Sequence, residues 1–233
     1  MILAAGLGTR LRPLTEKMPK CLMPLAGRPL LDWTLRWVGR CGVTQCVINL
    51  HYLAEQVQAF VGDGKQYGLH AEYSFEPELM GTAGAVRKVS AFFDEPFFVI
   101  YSDNFSQWDL GILKSLHEEK ASVATIAVHW RKDVTQSGMI EFDEEGRITR
   151  LVEKPKAEDV TSHYVSAGFF YLHPKVFDYI PDSGFCDFGF HVFPAMLRAG
   201  ERIDAVKMEE PIIGIDTLEA YEEANAWAEK LKR

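Results

Sequence analysis

The chain has 233 residues, of which 47% are hydrophobic and 25% are charged, and its formal net charge is −8. These values describe a globular protein with a buried core, and the length fits one large α/β domain. The negative balance excludes the basic surface of a typical nucleic-acid-binding protein, and no apolar run reaches the roughly 18 residues of a membrane span.

Short apolar runs alternate with segments of helical period before residue 131. The apolar runs predict strands at 2–5, 46–50, 71–75, 97–102 and 122–130. The periodic segments predict helices at 30–41, 52–61, 82–93 and 110–120. This alternation predicts the α/β class, with a doubly wound, mostly parallel sheet and right-handed crossovers.

The pattern changes after residue 130. Residues 139–153 predict a hairpin around an acidic turn, and 164–172 predict a further strand. Amphipathic helices are predicted at 188–200 and 217–232. Because no linker rich in Gly, Ser or Pro separates the halves, we expect a single domain over 1–233, whose second part is a β-rich insertion.

The first predicted strand leads directly into a Gly6-x-Gly8 turn. Ligands of doubly wound sheets bind outside the carboxyl ends of the strands. Glycine allows close approach of the backbone and positive φ, and exposed N–H groups then form an anion nest. Arg10, Arg12 and Lys20 add positive charge, so the expected ligand is a polyphosphate. The alternative is a bare turn with solvated arginines.

The turn differs from two common nucleotide-binding motifs. A dinucleotide fingerprint needs a third glycine, where this chain has Leu11, and an acidic residue about 20 positions further on. A Walker A loop needs GKS or GKT, and neither occurs. A dinucleotide-dependent oxidoreductase is therefore an alternative that the sequence disfavours.

Two acidic positions follow predicted strands. Asp103 comes after the most apolar strand, where a carboxylate is costly unless it holds a cation or a hydrogen-bond network. Mg²⁺ shared with phosphate oxygens is the usual solution, and a loop cap is the alternative. Glu153 and Lys154 precede Pro155 at the end of another strand, and alone they suggest a surface ion pair.

The stretch LAAGLGTRLRPLTEKMPKCLMPLAGRPLL (3–31) closely resembles the signature loop of the sugar-phosphate nucleotidylyltransferases. Later segments match in the same order: GTAGAV (81–86), YSDN (101–104), VEKP (152–155), SAGFFYL (166–172) and IDTLEAY (215–221). Members of this family join a nucleoside triphosphate to a sugar 1-phosphate and release pyrophosphate. The resemblance implies a Rossmann-like nucleotidyltransferase fold, with a nucleotide-binding half at 1–130 and a sugar-phosphate-binding half at 131–233.

The resemblance also implies roles for single residues. Arg10, Lys20 and Asp103 are the expected catalytic residues, and they bind the β/γ phosphates, bridge phosphate groups and hold Mg²⁺, respectively. The expected nucleotide contacts are Ala4, Ala5, Gly6, Gly8, Thr9, Arg10, Lys20, Glu76, Gly81, Thr82, Ala83 and Asp103. The expected sugar-phosphate contacts are Gly138, Glu153, Lys154, Ser166 and Gly168, although related proteins often have Asn in place of Ser166.

One departure concerns the metal site. Related proteins commonly carry a second acidic ligand where this chain has Gly214. Asp216 is either that second Mg²⁺ ligand or a cap of the last helix, whose first turn holds Thr217 and Glu219. Both interpretations remain open at this point.

The expected substrates are GTP and mannose 1-phosphate or a related sugar, because GTAGA (81–85) and VINLHYLAEQV (47–57) most resemble the mannose-1-phosphate guanylyltransferase branch. Glu76 supports a guanine contact if its carboxylate accepts base N–H groups; otherwise it is a solvated charge. The alternatives are a UTP- or dTTP-dependent enzyme of glucose or amino-sugar type, and a non-catalytic nucleotide-sugar-binding regulator.

The remaining expectations concern the setting of the protein. The four cysteines show no CxxC spacing and predict reduced thiols, hence a cytoplasmic protein. We expect no nucleic-acid or membrane partner, and the last helix is a candidate contact in a homo-oligomer. Because the chain stops after that helix, we do not expect the acyltransferase β-helix of some relatives.

Overall fold

The computed structural model describes residues 1–232, which form six α-helices and thirteen strands. The helices are α1 (Leu30–Arg40), α2 (Ala54–Val61), α3 (Gly81–Lys88), α4 (Gly111–Lys120), α5 (Phe193–Arg198) and α6 (Leu218–Leu231). The strands are β1 (Ile2–Leu3), β2 (Pro24–Leu25), β3 (Arg28–Pro29), β4 (Gln45–Leu50), β5 (His70–Phe75), β6 (Phe97–Tyr101), β7 (Asn104–Phe105), β8 (Ala124–Trp130), β9 (Gly138–Phe142), β10 (Ile148–Glu153), β11 (Tyr164–Leu172), β12 (Ile203–Lys207) and β13 (Ile213–Gly214). Within this part of the chain, no helix combines the length and the apolar character needed to cross a bilayer.

The chain divides into two compact units, each built from separate segments. Unit 1 contains Met1–Leu79, Tyr101–Asp109 and the chain from Glu210 onward. Unit 2 contains Met80–Ile100 and Leu110–Glu209. The expected division into halves at 1–130 and 131–233 within one domain stays a prediction.

Unit 1 contains a parallel arrangement of strands. β1 pairs with β4, and β4 pairs with β5, so that Leu3, Asn49 and Ser74 lie side by side. Residues 46–50 of β4 are all buried, as their apolar sequence predicts. α1 and α2 follow the predicted helical periods between these strands. The predicted alternation of parallel strands and helices is confirmed here.

The core of unit 1 joins distant parts of the sequence. β7 pairs with β13 in antiparallel fashion. Phe105 of β7 packs edge-on against Trp33 of α1 and Trp227 of α6, with ring centroids 5.6 and 4.8 Å apart. Edge-to-face packing of this kind stabilises beyond the area it buries. It therefore fixes the segment that follows Asp103.

Unit 2 is mostly antiparallel. β11 pairs with β6, β8 and β9, and β9 pairs with β10 as the predicted hairpin. β12 adds a parallel partner to β8 and was not predicted from the sequence. Its second residue, Asp204, is fully buried, and Arg202 Nε lies 2.8 Å from its Oδ2. The sequence analysis missed β12 because Asp204 interrupts its short apolar run. The ion pair with Arg202, which allows this carboxylate to be buried, is seen only in the structure.

The predicted helix at 188–200 is interrupted in the structure. Phe188–Val192 forms a π-helical turn, and α5 begins at Phe193, with Pro194 in its first turn. Asp187 begins the π-helical turn, since its side chain accepts hydrogen bonds from the N–H groups of Gly189 and Phe190. Turns of this type occur frequently at functional sites.

Candidate active site

A cleft of about 260 Å³ lies beside the glycine turn in unit 1. Its lining contains six of the predicted nucleotide contacts together with the second predicted metal ligand. The lining residues are Gly6, Leu7, Gly8, Thr9, Arg10, Leu11, Lys20, Leu79, Asp103 and Asp216. The structure therefore brings the turn, Arg10, Lys20 and both carboxylates to one place, whereas Arg12 is not among the lining residues.

The two glycines of the turn are needed for different reasons. Gly8 has φ of +61°, and a Cβ there would lie 2.9 Å from Thr15 Cγ2. The Gly8 carbonyl accepts hydrogen bonds from Leu11 N at 3.0 Å and Thr15 Oγ1 at 2.7 Å, which close the turn. A Cβ at Gly6 would meet nothing within 4 Å. The absence of a side chain at Gly6 therefore leaves open space at the cleft. Glycine at position 8 is instead required by the positive φ and the close packing of the turn.

Lys20 joins the two carboxylates of the cleft. Its Nζ lies 2.7 Å from Asp103 Oδ2 and 2.8 Å from Asp216 Oδ1, and the residue is 7% exposed. Burial lowers the pKa of Lys20, but its charge interactions and hydrogen bonds with both aspartates outweigh this and raise the pKa above its ordinary value. Lys20 is therefore a fixed ammonium cation at neutral pH.

The strand pair β7–β13 explains why these carboxylates meet. Asp103 immediately precedes β7, and Asp216 follows β13 by two residues. The N–H of Ile215 also donates to the carbonyl of Asp103 at 2.9 Å. Asp103 and Asp216 are more than a hundred positions apart in sequence. Backbone hydrogen bonds between their segments thus hold both carboxylates beside Lys20.

Arg10 makes a more exposed ion pair. Its Nη2 lies 2.8 Å from Asp216 Oδ1, and its side chain is 64% exposed. Exposed pairs contribute only about 0.2–1 kcal/mol, so the guanidinium can exchange this partner for a phosphate at little cost.

Asp216 does not cap the last helix. The cap of α6 is Thr217, whose Oγ1 accepts a hydrogen bond from Ala220 N at 3.2 Å. The carboxylate of Asp216 instead pairs with Arg10 and Lys20. Of the two interpretations of Asp216, the cap is therefore wrong, and the metal ligand stays a prediction.

Asp103 and Asp216 have the chemistry that Mg²⁺ requires. Mg²⁺ is commonly held by one or two carboxylates, with water and substrate phosphate completing its octahedron. Both carboxylates converge on one cation, the Lys20 ammonium, and remain 36% and 43% exposed. Residues 1–232 contain no group of three or more His, Cys, Asp or Glu side chains suited to a metal. An ion at this pair would therefore take its other ligands from substrate and water.

Three predicted nucleotide contacts of unit 1 lie outside the cleft lining. Ala5 is buried, and Ala4 donates its N–H to Asn49 Oδ1 at 2.7 Å. Glu76 is 1% exposed, and its Oε1 accepts a hydrogen bond from Asn49 Nδ2 at 2.8 Å. The sequence analysis expected Glu76 either in an open base site or as a solvated charge. The structure shows it buried instead. The Glu76 carboxylate is buried against Asn49 and is not among the residues that line the cleft.

Polar groups of the expected base-contacting loop, Gly81–Ala83, form hydrogen bonds with other residues of unit 2. The N–H groups of Ala83 and Gly84 both donate to the carbonyl of Cys186 at 3.0 Å. Thr82 Oγ1 donates to Asp187 Oδ2 at 2.8 Å and accepts from Phe188 N at 3.0 Å. The N-terminal amides of Ala83 and Gly84 are therefore satisfied within unit 2, and a base contact here stays a prediction.

Glu153 lies between two glycines in unit 2. A Cβ at Gly138 would be 2.6 Å from Glu153 Oε2, and one at Gly189 would collide with the same oxygen. Burial, and then the charge of Asp187, raise the pKa of Glu153 to about 7, although Lys154 acts in the opposite direction. A carboxyl group with this pKa changes its charge near neutral pH.

The other sugar-phosphate candidates also occupy special backbone positions. Lys154 has φ of +50° although it is not glycine, and its Nζ lies 6.0 Å from the ring centroid of Phe190. Gly168 has φ of +72°, and its N–H donates to Ser166 Oγ at 3.2 Å. Strained non-glycine residues of this kind cluster at functional sites.

Asn49, Asp187, Gly189 and Phe190 were missed by the sequence analysis. Asp187 carried a signal, since an Asp before a periodic segment is a typical helix start. Asn49 carried a weaker one, as a polar side chain within an apolar strand. Gly189 and Phe190 became candidates only once the structure showed them beside Glu153 and Lys154.

Comparison with known proteins identifies the family of this chain. The sequence model of the family described as nucleotidyl transferase matches residues 1–229. The UTP–glucose-1-phosphate uridylyltransferase of Synechocystis sp. is 32% identical over 96% of this chain and 61% of its own length. The mannose-1-phosphate guanylyltransferase of Mycobacterium tuberculosis is 31% identical over 86% of this chain and 56% of its own length.

The chain therefore spans about three fifths of the length of these two relatives. A solved structure from Bacillus anthracis, ascribed to the glucose-1-phosphate thymidylyltransferases, superposes with a TM-score of 0.88 at 23% identity. The superposition covers 98% of this chain and 94% of that one, and it shows that the fold is shared.

Proposed function

This chain belongs to the nucleotidyl transferase family, and from that premise we propose that it transfers a nucleotidyl group from a nucleoside triphosphate to a sugar 1-phosphate, releasing pyrophosphate. One observation carries the proposal: the Lys20 ammonium lies between two carboxylates, beside a glycine turn with open space at Gly6. This arrangement provides backbone amides, a fixed ammonium group and metal-binding oxygens for a polyphosphate.

In the proposed reaction, a phosphate oxygen of the sugar 1-phosphate attacks the α-phosphorus of the nucleotide. A P–O bond forms there, the bond between the α-phosphorus and the bridging oxygen breaks, and pyrophosphate leaves with the electron pair. Such transfers need positioning and charge stabilisation rather than a protein nucleophile. Lys20 stabilises phosphate charge near the reacting centre, and Arg10 binds the β and γ phosphates.

Asp103 and Asp216 would hold Mg²⁺ in this proposal. When bound, the ion supplies Lewis-acid stabilisation of phosphate charge. Lys20 keeps the two carboxylates together before substrate arrives, because its Nζ is within hydrogen-bonding distance of both. Arg10 is free to turn from Asp216 to phosphate, since its ion pair is exposed.

We assign the sugar phosphate to unit 2. Glu153 would accept a hydrogen bond from a sugar hydroxyl, and Lys154 would bind the phosphate. Gly138 leaves room for the Glu153 carboxylate, Gly168 takes the positive φ of this part of β11, and Ser166 offers a hydroxyl. The support is the burial of the Glu153 carboxylate between glycines and the strained backbone of Lys154.

The proposed substrate pair is GTP with mannose 1-phosphate. Its support is the similarity to the Mycobacterium tuberculosis guanylyltransferase and the small-residue sequence GTAGA. UTP with glucose 1-phosphate is the competing pair, and the Synechocystis relative, which covers more of this chain, favours it.

A panel of GTP, UTP, dTTP, ATP and CTP against mannose 1-phosphate and glucose 1-phosphate, measured as pyrophosphate release, tests both levels of the proposal. We expect the highest kcat/KM for GTP with mannose 1-phosphate. A higher value for UTP with glucose 1-phosphate would move the assignment to the competing pair. Nucleotide-sugar binding without pyrophosphate release from any pair would contradict the enzyme and favour a regulator.

A further inference from the structure

A buried polar chain crosses the carboxyl ends of the three parallel strands of unit 1. Ala4 follows β1, Asn49 is the penultimate residue of β4, and Glu76 follows β5. Leu3 pairs with Asn49, and Asn49 pairs with Ser74, so these ends are neighbours. We call Ala4, Asn49 and Glu76 the strand-end relay.

The relay is connected by short hydrogen bonds. Ala4 N–H donates to Asn49 Oδ1 at 2.7 Å, and Asn49 Nδ2 donates to Glu76 Oε1 at 2.8 Å. Asn49 is 4% exposed and Glu76 is 1% exposed. The backbone of Glu76 is fixed as well, because its N–H donates to the Leu50 carbonyl at 2.8 Å and its carbonyl lies 2.7 Å from His51 Nδ1.

Burying an amide and a carboxyl group is costly unless their hydrogen bonds are satisfied, and Asn49 meets this condition by accepting from Ala4 and donating to Glu76. The relay therefore ties the residue after β1 to the residue after β5. Both of its ends lead to the cleft. Ala4 lies two residues before Gly6, and Glu76 lies three residues before Leu79, and both Gly6 and Leu79 line the cleft.

We propose that Asn49 and Glu76 are positioning residues that hold the glycine turn and the Leu79 segment at their separation across the nucleotide cleft. β1 has only two residues, so Ala4 is where the chain leaves the sheet. The Asn49 amide oxygen takes the place of a ladder carbonyl at that point, and Glu76 fixes the orientation of the amide. This inference rests on the proposed function of the cleft.

The test compares Asn49→Ala with two other variants. Val47→Ala is the matched control, because Val47 is a buried residue of the same strand, two positions away and on the same face. Glu76→Gln is the conservative variant, since its amide oxygen can still accept from Asn49. Three quantities are measured: hydrogen exchange of the segment 1–11 without ligand, the Kd of GTP with Mg²⁺ by calorimetry, and the KM of each substrate.

We expect Asn49→Ala to speed exchange at residues 4–8 and to raise the GTP Kd and KM about tenfold or more, while the sugar-phosphate KM stays within about twofold. Val47→Ala should lower the melting temperature without these changes, and Glu76→Gln should keep the wild-type exchange at residues 4–8, because its amide oxygen can still accept from Asn49. If Asn49→Ala does not fold, Glu76→Ala carries the same comparison.

Unchanged exchange at residues 4–8 in a folded Asn49→Ala protein would overturn the inference. So would faster exchange with an unchanged GTP Kd, or an equal loss of affinity in Val47→Ala. A wild-type protein that releases no pyrophosphate would refute the proposed function instead, and the exchange and binding measurements would still decide the role of the relay.

Discussion

At the scale of single residues, burial distinguishes Lys20 from Arg10, two cations for which the sequence predicts similar phosphate contacts. Lys20 is enclosed by two carboxylates, whereas Arg10 shares one of them and stays 64% exposed. Removing a buried ion-pair partner leaves uncompensated charge, while removing an exposed one costs little. Lys20 therefore has a structural role beside its proposed chemical one, whereas the proposed role of Arg10 is mainly chemical.

Substituting Arg10 should separate activity from stability. We expect Arg10→Ala to lower kcat/KM at least about 100-fold, roughly 2.7 kcal/mol of transition-state stabilisation. Its free energy of unfolding should change by less than about 1 kcal/mol. Steady-state kinetics and urea unfolding measure the two effects. Arg12→Ala, in the same loop but outside the cleft lining, is the control; equal losses in both variants would remove Arg10 from the catalytic set.

The two glycines of the turn should respond in opposite ways to alanine. Gly6→Ala should fold normally, because its Cβ meets nothing within 4 Å, yet it should weaken binding of GTP and UTP about tenfold by filling the cleft. Gly8→Ala should lose more than about 1 kcal/mol of stability, because of its positive φ and the contact with Thr15. Calorimetric binding and urea unfolding test both, and normal nucleotide affinity in Gly6→Ala would contradict a ligand at that position.

At the scale of elements, the sequence predicts where strands end better than it predicts which segments pair beyond those ends. Asp103 was expected at a carboxyl edge, and it lies there in the cleft. The pairing of β7 with β13, which brings Asp216 to it, involves two-residue strands that have no detectable period. The π-helical turn after Asp187 was predicted as plain helix, because Gly189 and Phe190 fit a helical pattern as well. Short pairings and local helix irregularities depend on tertiary contacts that a single sequence does not display.

Burial of Glu153, and then the charge of Asp187 at the start of that turn, favour the protonated form of Glu153. Because the pKa of Glu153 is raised to about 7, the fold favours its protonated form, and this contribution to stability is lost as the pH rises through about 7. The ionised form, which accepts a hydroxyl hydrogen bond, is populated above that pH. We therefore expect the KM for sugar 1-phosphate to fall as the pH rises through about 7.

Two variants test this pH dependence. Glu153→Gln should flatten the KM profile, which also separates it from titration of the substrate phosphate near about pH 6. Asp187→Asn should move the inflection to lower pH, since the charge of Asp187 raises the pKa of Glu153 while an amide can still cap the turn. An unshifted inflection in both variants would mean that Glu153 does not contact the sugar phosphate.

At the scale of the whole molecule, the family predicted from the sequence is confirmed, because the nucleotidyl transferase model matches residues 1–229. The α/β class is confirmed as well, including the antiparallel, β-rich part around Glu153. The signature loop carried most of this information, since residues 3–31 are contiguous. The relay through Asn49 and the closure of Gly81–Ala83 by Cys186 were beyond reach, because both join segments far apart in the chain.

Ligand-linked stability gives a test of the metal at this scale. A ligand that binds only the folded state at about 100 times its Kd stabilises by about 2.7 kcal/mol. We expect GTP with Mg²⁺ to raise the melting temperature, GTP with EDTA to raise it less, and Asp103→Asn to lose the difference between them. Equal shifts with and without Mg²⁺ in the wild-type protein would argue against an ion at Asp103 and Asp216.

The segmental make-up of unit 1 has a consequence for how the protein is made. Its core packs Leu11 and Met23 against Ile213, Ala224 and Ala228, which the ribosome adds after every residue of unit 2. All residues of unit 2 have been synthesised once Glu209 is in place, whereas unit 1 still lacks part of its core and the carboxylate of Asp216. A nascent chain therefore carries the proposed sugar-phosphate residues before the nucleotide cleft exists, and early termination yields a protein unable to assemble that cleft.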